Sequence, residues 1–133
     1  MREPTKTGTP KVRVVALDHI VLNVADVERA IGWYVDELGL EPVRLDEFRR
    51  GEVFFPSARI DEGTIIDFLA TEPTGSNVDH VCLVIEATDL DALVASGRFD
   101  VASGPSEVFG ARGMGRSVYV RDPDGNLVEL RCY

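Results

Sequence analysis

The sequence predicts an α+β fold made of two copies of one β-α-β-β-β unit, and three observations predict it. The segment Val78-Asp79-His80-Val81-Cys82-Leu83 echoes Leu17-Asp18-His19-Ile20-Val21-Leu22, with Asp, His and the final Leu recurring at a shift of 61. Two helix starts, Asp26 and Asp89, recur at a shift of 63. Two acids set among apolar residues, Asp67 and Glu129, recur at 62. A repeat of about 60 residues present only twice is no solenoid array; it predicts two half-domains related by a pseudo-twofold axis.

The elements follow in order. Residues 1–11 are polar, with two prolines and a glycine, and are expected to form a flexible tail. Residues 12–24 are rich in β-branched side chains and lack a helical period, which predicts a strand. Asp26 is the expected N-cap of a helix whose apolar stripe is Val27, Ala30, Ile31, Tyr34, Val35 and Leu38, with Gly39 at its C-terminal end. Strand-like pieces follow at 42–46, 52–57 and 64–70, separated by breakers at Arg50-Gly51 and Asp61-Glu62-Gly63. The charge runs at 46–50 and 61–62 are expected to be solvated turns. Residues 72–77 have a linker composition, so the chain divides into modules 12–71 and 78–133 of one domain. The second module adds a helix from Asp89 through Leu90, Leu93 and Val94 to Gly97, and strand pieces at 101–102, 117–121 and 127–132. The last two are joined by Asp122-Pro123-Asp124-Gly125-Asn126, which favours a tight hairpin. The four glycines between Gly104 and Gly115 predict a flexible flap over the concave face, from which Arg112 and Arg116 would meet an anionic substrate.

Composition removes several function classes. Of 133 residues, 23 are acidic and 14 basic, a formal charge of −9, and the basic residues are scattered. Phosphate backbones and anionic membranes require a basic patch, so neither nucleic acid nor a membrane surface is an expected partner. The two cysteines, Cys82 and Cys132, form no metal or disulfide pattern, which fits a reducing cytoplasm. No apolar run approaches the ~18 residues of a membrane span, and no signal peptide is expected.

The chemistry concentrates in four residues. A single histidine on a strand is usually a satisfied packing residue; here the only two, His19 and His80, occupy the same point of each module's first strand. Alternation sets Ile66 and Phe68 opposite Asp67, and Val128 and Leu130 opposite Glu129, so both acids face away from the helices. Two imidazoles and two carboxylates suit one divalent ion, with Zn, Ni, Co, Mn and Fe all open. Lacking thiolates, the set reads as catalytic rather than structural. If Arg121 pairs with Leu127, Tyr119 falls opposite Glu129 and can bond to a ligand or a substrate. Cys82 shares the parity of His80 but reads as a small buried hydrophobe.

Leu17-Asp18-His19-Ile20, the helix with Ala30-Ile31-Gly32-Trp33-Tyr34 and Leu38-Gly39-Leu40, Asp79-His80-Val81, and the run from Tyr119 to Leu130 carry a resemblance over residues 14–133. The chain resembles the vicinal oxygen chelate superfamily of glyoxalases, bleomycin-resistance proteins and extradiol dioxygenases. The resemblance implies a curled, cup-shaped mixed sheet with helices outside, and often a homodimer, in some members with one cup completed by modules of two chains. It carries metal ligation onto His19, His80, Glu129 and Asp67, the last standing where glyoxalase I-like members have Glu. Asp is shorter by one methylene, roughly 1.5 Å of reach. Without Asp67, two histidines and Glu129 form the facial triad of iron oxygenases. Three functions are weighed: a glyoxalase I-type lyase or isomerase in which Glu129 moves a proton of an enediolate-forming small substrate, an Fe(II) extradiol-type dioxygenase, and a non-catalytic drug-binding protein. The three ligands together argue against the last.

Overall fold

The computed structural model describes residues 12–75, 77–121 and 125–133. The expected tail at 1–11, Ser76 of the linker and Asp122, Pro123 and Asp124 of the hairpin turn lie outside the described residues. The first module runs β1 (Val14–Val24), α1 (Val27–Asp36), β2 (Glu41–Val43), α2 (Leu45–Arg49), β3 (Ser57–Asp61) and β4 (Thr64–Ala70). The second runs β5 (Val78–Ile85), α3 (Leu90–Ala95), β6 (Asp100–Gly110), β7 (Gly113–Arg121) and β8 (Leu127–Cys132). All eight strands form one open, curled sheet in the order β2-β3-β4-β1-β5-β8-β7-β6. The antiparallel pair β1 and β5 sits at its centre, with β4 parallel to β1 on one side and β8 parallel to β5 on the other. The two modules of this one chain thus meet edge to edge around a common concave face.

Each module buries its own apolar cluster on the outer face. Val27 and Ile31 of α1 pack with Ala58 and Phe68, while Leu90 and Leu93 of α3 pack with Ile85, Val118, Val120 and Leu130. Burying a side chain the size of Phe68 or Leu93 contributes about 1.5–3 kcal/mol. Both helices begin where the sequence puts them. Asp26 accepts from the Arg29 N–H and Asp89 from the Ala92 N–H, satisfying donors that a helix start leaves free. Gly39 takes the left-handed backbone, φ 73°, just beyond α1.

Three expectations change. The expected flap is not a loop: Asp100–Gly110 is an 11-residue strand at the sheet edge, laddered to β7 from Asp100↔Arg121 to Gly110↔Gly113. Glycine there serves close approach, since a Cβ on Gly110 would lie 2.5 Å from the Arg131 guanidinium carbon and one on Gly115 2.8 Å from the Cys132 carbonyl oxygen. The piece expected at 52–57 shifts to Ser57–Asp61, because Pro56 has no N–H to give a ladder. The run at 46–50 is not simply a turn, for it contains the short helix α2, whose Phe48 packs against the α1 cluster.

Candidate metal centre

The central strand pair sets the two histidines. In its register His19 faces Cys82 and Val21 faces His80, so the imidazoles are diagonal neighbours with ring centroids 5.6 Å apart. The flanking parallel strands bring one acid to each side: Asp67 pairs with Val21 and Glu129 with Cys82. Glu129 Oε1 lies 3.2 Å from His19 Nε2 and 3.0 Å from His80 Nε2. Ligand atoms of His19, His80 and Glu129 all fall within 4.8 Å of one another. Asp67 does not join that group, although its Oδ2 is 3.6 Å from His19 Nε2.

Each histidine is aimed by the aspartate before it. Neighbours on a strand normally face opposite ways, but the β1–β5 ladder skips Asp18 between Leu17 and His19, and skips Asp79 between Val78 and His80. These bulges bring Asp18 Oδ2 and Asp79 Oδ2 each 2.7 Å from the Nδ1 of the following imidazole. The Nε2 of both rings is left facing the acids, the arrangement by which an outer carboxylate orients a ligating histidine. Asp18 is tied further by the Ala111 N–H and the Tyr133 hydroxyl.

Serines complete the repeat. Ser57 Oγ donates to Asp67 Oδ1 at 2.6 Å, and Ser117 Oγ donates to Glu129 Oε2 at 2.7 Å. Arg131 breaks the symmetry. Fully buried, it donates to Glu129 Oε2 at 3.0 Å and to the carbonyls of Val108 and Gly113. The equivalent position in the first module is Leu69. The two acids titrate in opposite directions. Burial raises Asp67, only partly offset by His19 and Ser57. Burial would raise Glu129 too, but bonds from His19, His80 and Ser117 hold it far below the ordinary carboxylate range. Burial disfavours charge on His19, yet bonds to Asp18, Cys82 and Glu129 raise it to about 12. His80 rises for the same kind of reason, through Glu129 and Asp79.

A divalent ion fits these donors. Two imidazole Nε2 atoms and one carboxylate oxygen converge, the remaining atoms of all three groups are already bonded, and the proton-rich pairs are those an ion would replace. The centre opens into a cavity of about 780 Å³ that includes Asp67, Tyr119, Phe55 and Phe109. A groove of about 830 Å³ against α1, beside Asn23 and Trp33, holds none of these donors. Tyr119 pairs with Glu129 in the β7–β8 ladder, and its ring stands 5.3 Å from that of His80. Burial and the Glu129 charge raise its hydroxyl, keeping it a donor.

The two arginines expected at the flap lie elsewhere. Arg116 bonds Asp91 of α3 at 3.2 Å, and Arg112 stands at the β6–β7 turn against Gly63 and Tyr133; neither lines the cavity. The flap that would have carried them is a strand, and alternation sends Arg116 to the face opposite Ser117 and Tyr119. Burial pushes the Cys82 thiol up to about 12, so the Asp18, His19 and Cys82 group presents no thiolate. Sequence reasoning missed Arg131, Ser57 and Ser117. Two-residue spacing from Glu129 was the available signal for Arg131, and hairpin register from Asp67 and Tyr119 for the serines.

The pattern of the Glyoxalase/Bleomycin resistance protein/Dioxygenase superfamily matches residues 16–130, and the chain belongs to that superfamily. It is 31% identical over 121 residues to "Virulence protein STM3117" of Salmonella typhimurium, covering 88% of this chain and 83% of that protein. It is 33% identical over 128 residues to "Glyoxalase domain-containing protein RDO1" of Mycosarcoma maydis, covering 92% and 71%. Among solved structures, the Mn(II)-bound glyoxalase from Novosphingobium aromaticivorans matches with a TM-score of 0.65 at 22% identity, covering 92% of this chain and 40% of that one. The 2,3-dioxygenase LapB from Pseudomonas sp. KL28 matches with a TM-score of 0.64 at 20% identity, covering 88% and 42%. The chain therefore spans about two-fifths of either of these structures, and the likeness to them is one of fold. No helix among the described residues is long and apolar enough to cross a membrane.

Proposed function

We propose that this chain is a metal-dependent lyase or isomerase of the glyoxalase I type, moving a proton beside a carbonyl of a small substrate with vicinal oxygens. The observation that carries the reading is the convergence of His19 Nε2, His80 Nε2 and Glu129 Oε1 at the floor of the cavity. These three side chains would hold one divalent ion of the Zn, Ni, Co, Mn or Fe series. Such an ion polarises a bound carbonyl oxygen and acidifies the neighbouring C–H.

The proton-moving role passes from Glu129 to Asp67. Glu129 has both oxygens engaged, Oε1 toward the histidines and Oε2 by Ser117 and Arg131. Asp67 is anchored through Oδ1 by Ser57, stands beside the centre and lines the cavity, which leaves Oδ2 to take and return a proton. Tyr119, which also lines the cavity, donates to a substrate oxygen. The second reading, ring-cleaving oxygenation at iron, is favoured by one observation: the ligand group has three members, two histidines and a carboxylate, without Asp67.

The test is solvent-deuterium exchange next to the carbonyl in a panel of 2-oxo and 2-hydroxy carbonyl compounds, with protein loaded separately with each metal. Metal-dependent exchange without oxygen uptake, lost in Asp67→Asn, is expected. Oxygen uptake with ferrous protein and catechols, or no exchange with any metal, would replace this reading.

A further inference from the structure

The same cavity holds an arginine that forms no ion pair with a carboxylate among the described residues. Arg44 lies between β2 and α2 at φ 61°, alone in positive φ among the described non-glycine residues. Backbone in that region is unfavourable for a long side chain, and such positions cluster at functional sites. Its guanidinium carbon lies 4.0 Å from the Phe109 ring centroid and 5.4 Å from that of Phe55, so it is held between one ring from each module. Aromatic packing covers the faces of a guanidinium; its five N–H donors lie in the plane and stay free to bond. Among the described residues no hydrogen bond or ion pair takes them up.

Arg44, Phe55 and Phe109 line the cavity that contains His19, His80 and Glu129. Besides Asp67 and Glu129, three more acids share the lining, Glu47, Glu52 and Glu107, and among the described residues none of the five pairs with Arg44. Glu52 is bonded by Arg50 at 2.6 Å, and Glu107 faces Arg116 in the β6–β7 register. Their charges oppose any anion, and a multiply charged one most; the planar guanidinium fork is what attracts a single carboxylate and matches its shape. A cavity of about 780 Å³ is of small-molecule size.

We propose that Arg44 binds a carboxylate of the substrate, which makes the substrate class a small organic acid whose vicinal oxygens lie at the metal centre and whose apolar body packs on Phe55 and Phe109. The inference rests on the metal-centre reading for the vicinal oxygens, but Arg44 is testable without it.

In the metal-free protein, phenylacetate and 3-phenylpropionate are titrated against their amides, following the Arg44 Nε–H and the Phe109 ring by NMR. At least one acid binds about 10-fold or more tighter than its amide. That preference vanishes in Arg44→Gln and survives in part in Arg44→Lys, which keeps the charge without the fork. Mn(II)-loaded protein is then titrated calorimetrically with 3,4-dihydroxyphenylacetate and 4-methylcatechol. The acid binds about 10- to 100-fold tighter, and Arg44→Gln removes the difference without changing 4-methylcatechol. Carboxylate preference in the metal-free protein with no catechol binding to the loaded one supports Arg44 and overturns the placement of the acid's vicinal oxygens at the metal centre. Catechol binding with no carboxylate preference in either titration, or a preference unchanged in both variants, overturns the Arg44 proposal and leaves this arginine a packing link between modules.

Discussion

Replacing Arg131 with Met removes a buried partner of Glu129 that Asp67 lacks, since the equivalent position in the first module is Leu69. The side chain is fully buried and donates to Glu129 Oε2 at 3.0 Å, to Ser117 Oγ at 3.3 Å and to two carbonyls of the β6 and β7 strands. Met fills much of the volume, so the loss is electrostatic: Glu129 keeps only Ser117 on that oxygen, and the carbonyls of Val108 and Gly113 lose their shared donor. Removing one partner of a buried ion pair costs about 3–5 kcal/mol. For a chain of this size that lowers the thermal midpoint by roughly 10–20 °C. Urea and thermal unfolding of the metal-free protein measure it. Adding Glu129→Gln to Arg131→Met removes the stranded charge, so the pair of changes costs about 1–3 kcal/mol less than the sum of the two alone. A loss under about 1 kcal/mol for Arg131→Met, or strict additivity in the cycle, would refute the view that this arginine is a coupled, buried counter-charge of Glu129.

Three further outcomes follow from the same geometry. Asp79→Asn, which weakens the bond that aims His80, lowers metal affinity about 10- to 100-fold by calorimetry while the fold, followed by circular dichroism, is kept. Gly110→Ala places a Cβ 2.5 Å from the Arg131 guanidinium carbon and 2.6 Å from the Tyr133 hydroxyl, and destabilises by about 1–3 kcal/mol in urea unfolding. The pH dependence of the metal-free protein has two limbs. Glu129 is held below its unfolded value of 4.5, so its contribution is present above that pH and is lost as the pH falls. Asp67, raised by burial, acts in the opposite sense on this limb and blunts it. His19 is raised from 6.5 to about 12, so its contribution is full below pH 6.5 and declines steadily up to about 12. Stability measured by denaturant across pH therefore peaks near pH 5–6, and saturating metal, which replaces the histidine protons, flattens the alkaline limb.

Where local periodicity and capping chemistry decide an element, the sequence is enough: Asp26 and Asp89 start the two helices, Thr64–Ala70 and Leu127–Cys132 are the strands expected, and Tyr119 pairs with Glu129. His19, His80 and Glu129 were legible because an internal repeat turns isolated residues into a pattern. Strand β6 was not, because glycine, serine and proline read locally as loop while its pairing to β7 is a tertiary gain. Misreading it also displaced Arg112 and Arg116 into the site. Helix α2, five residues long, is too short for a period to register. Arg44 escaped notice for a different reason: its role depends on the chain-distant rings of Phe55 and Phe109. For Arg131 the two-residue spacing from Glu129 was visible, but its carbonyl partners Val108 and Gly113 were not.

Metal stoichiometry after loading and desalting tests the central claim most directly. Wild-type protein should retain one divalent ion per chain; His19→Ala, His80→Ala and Glu129→Ala should each lose it, and Asp67→Asn should keep it. An ion retained equally by all four variants, or none retained by the wild type after exposure to Mn, Fe, Co, Ni and Zn, would contradict the assignment of this cluster as a metal centre.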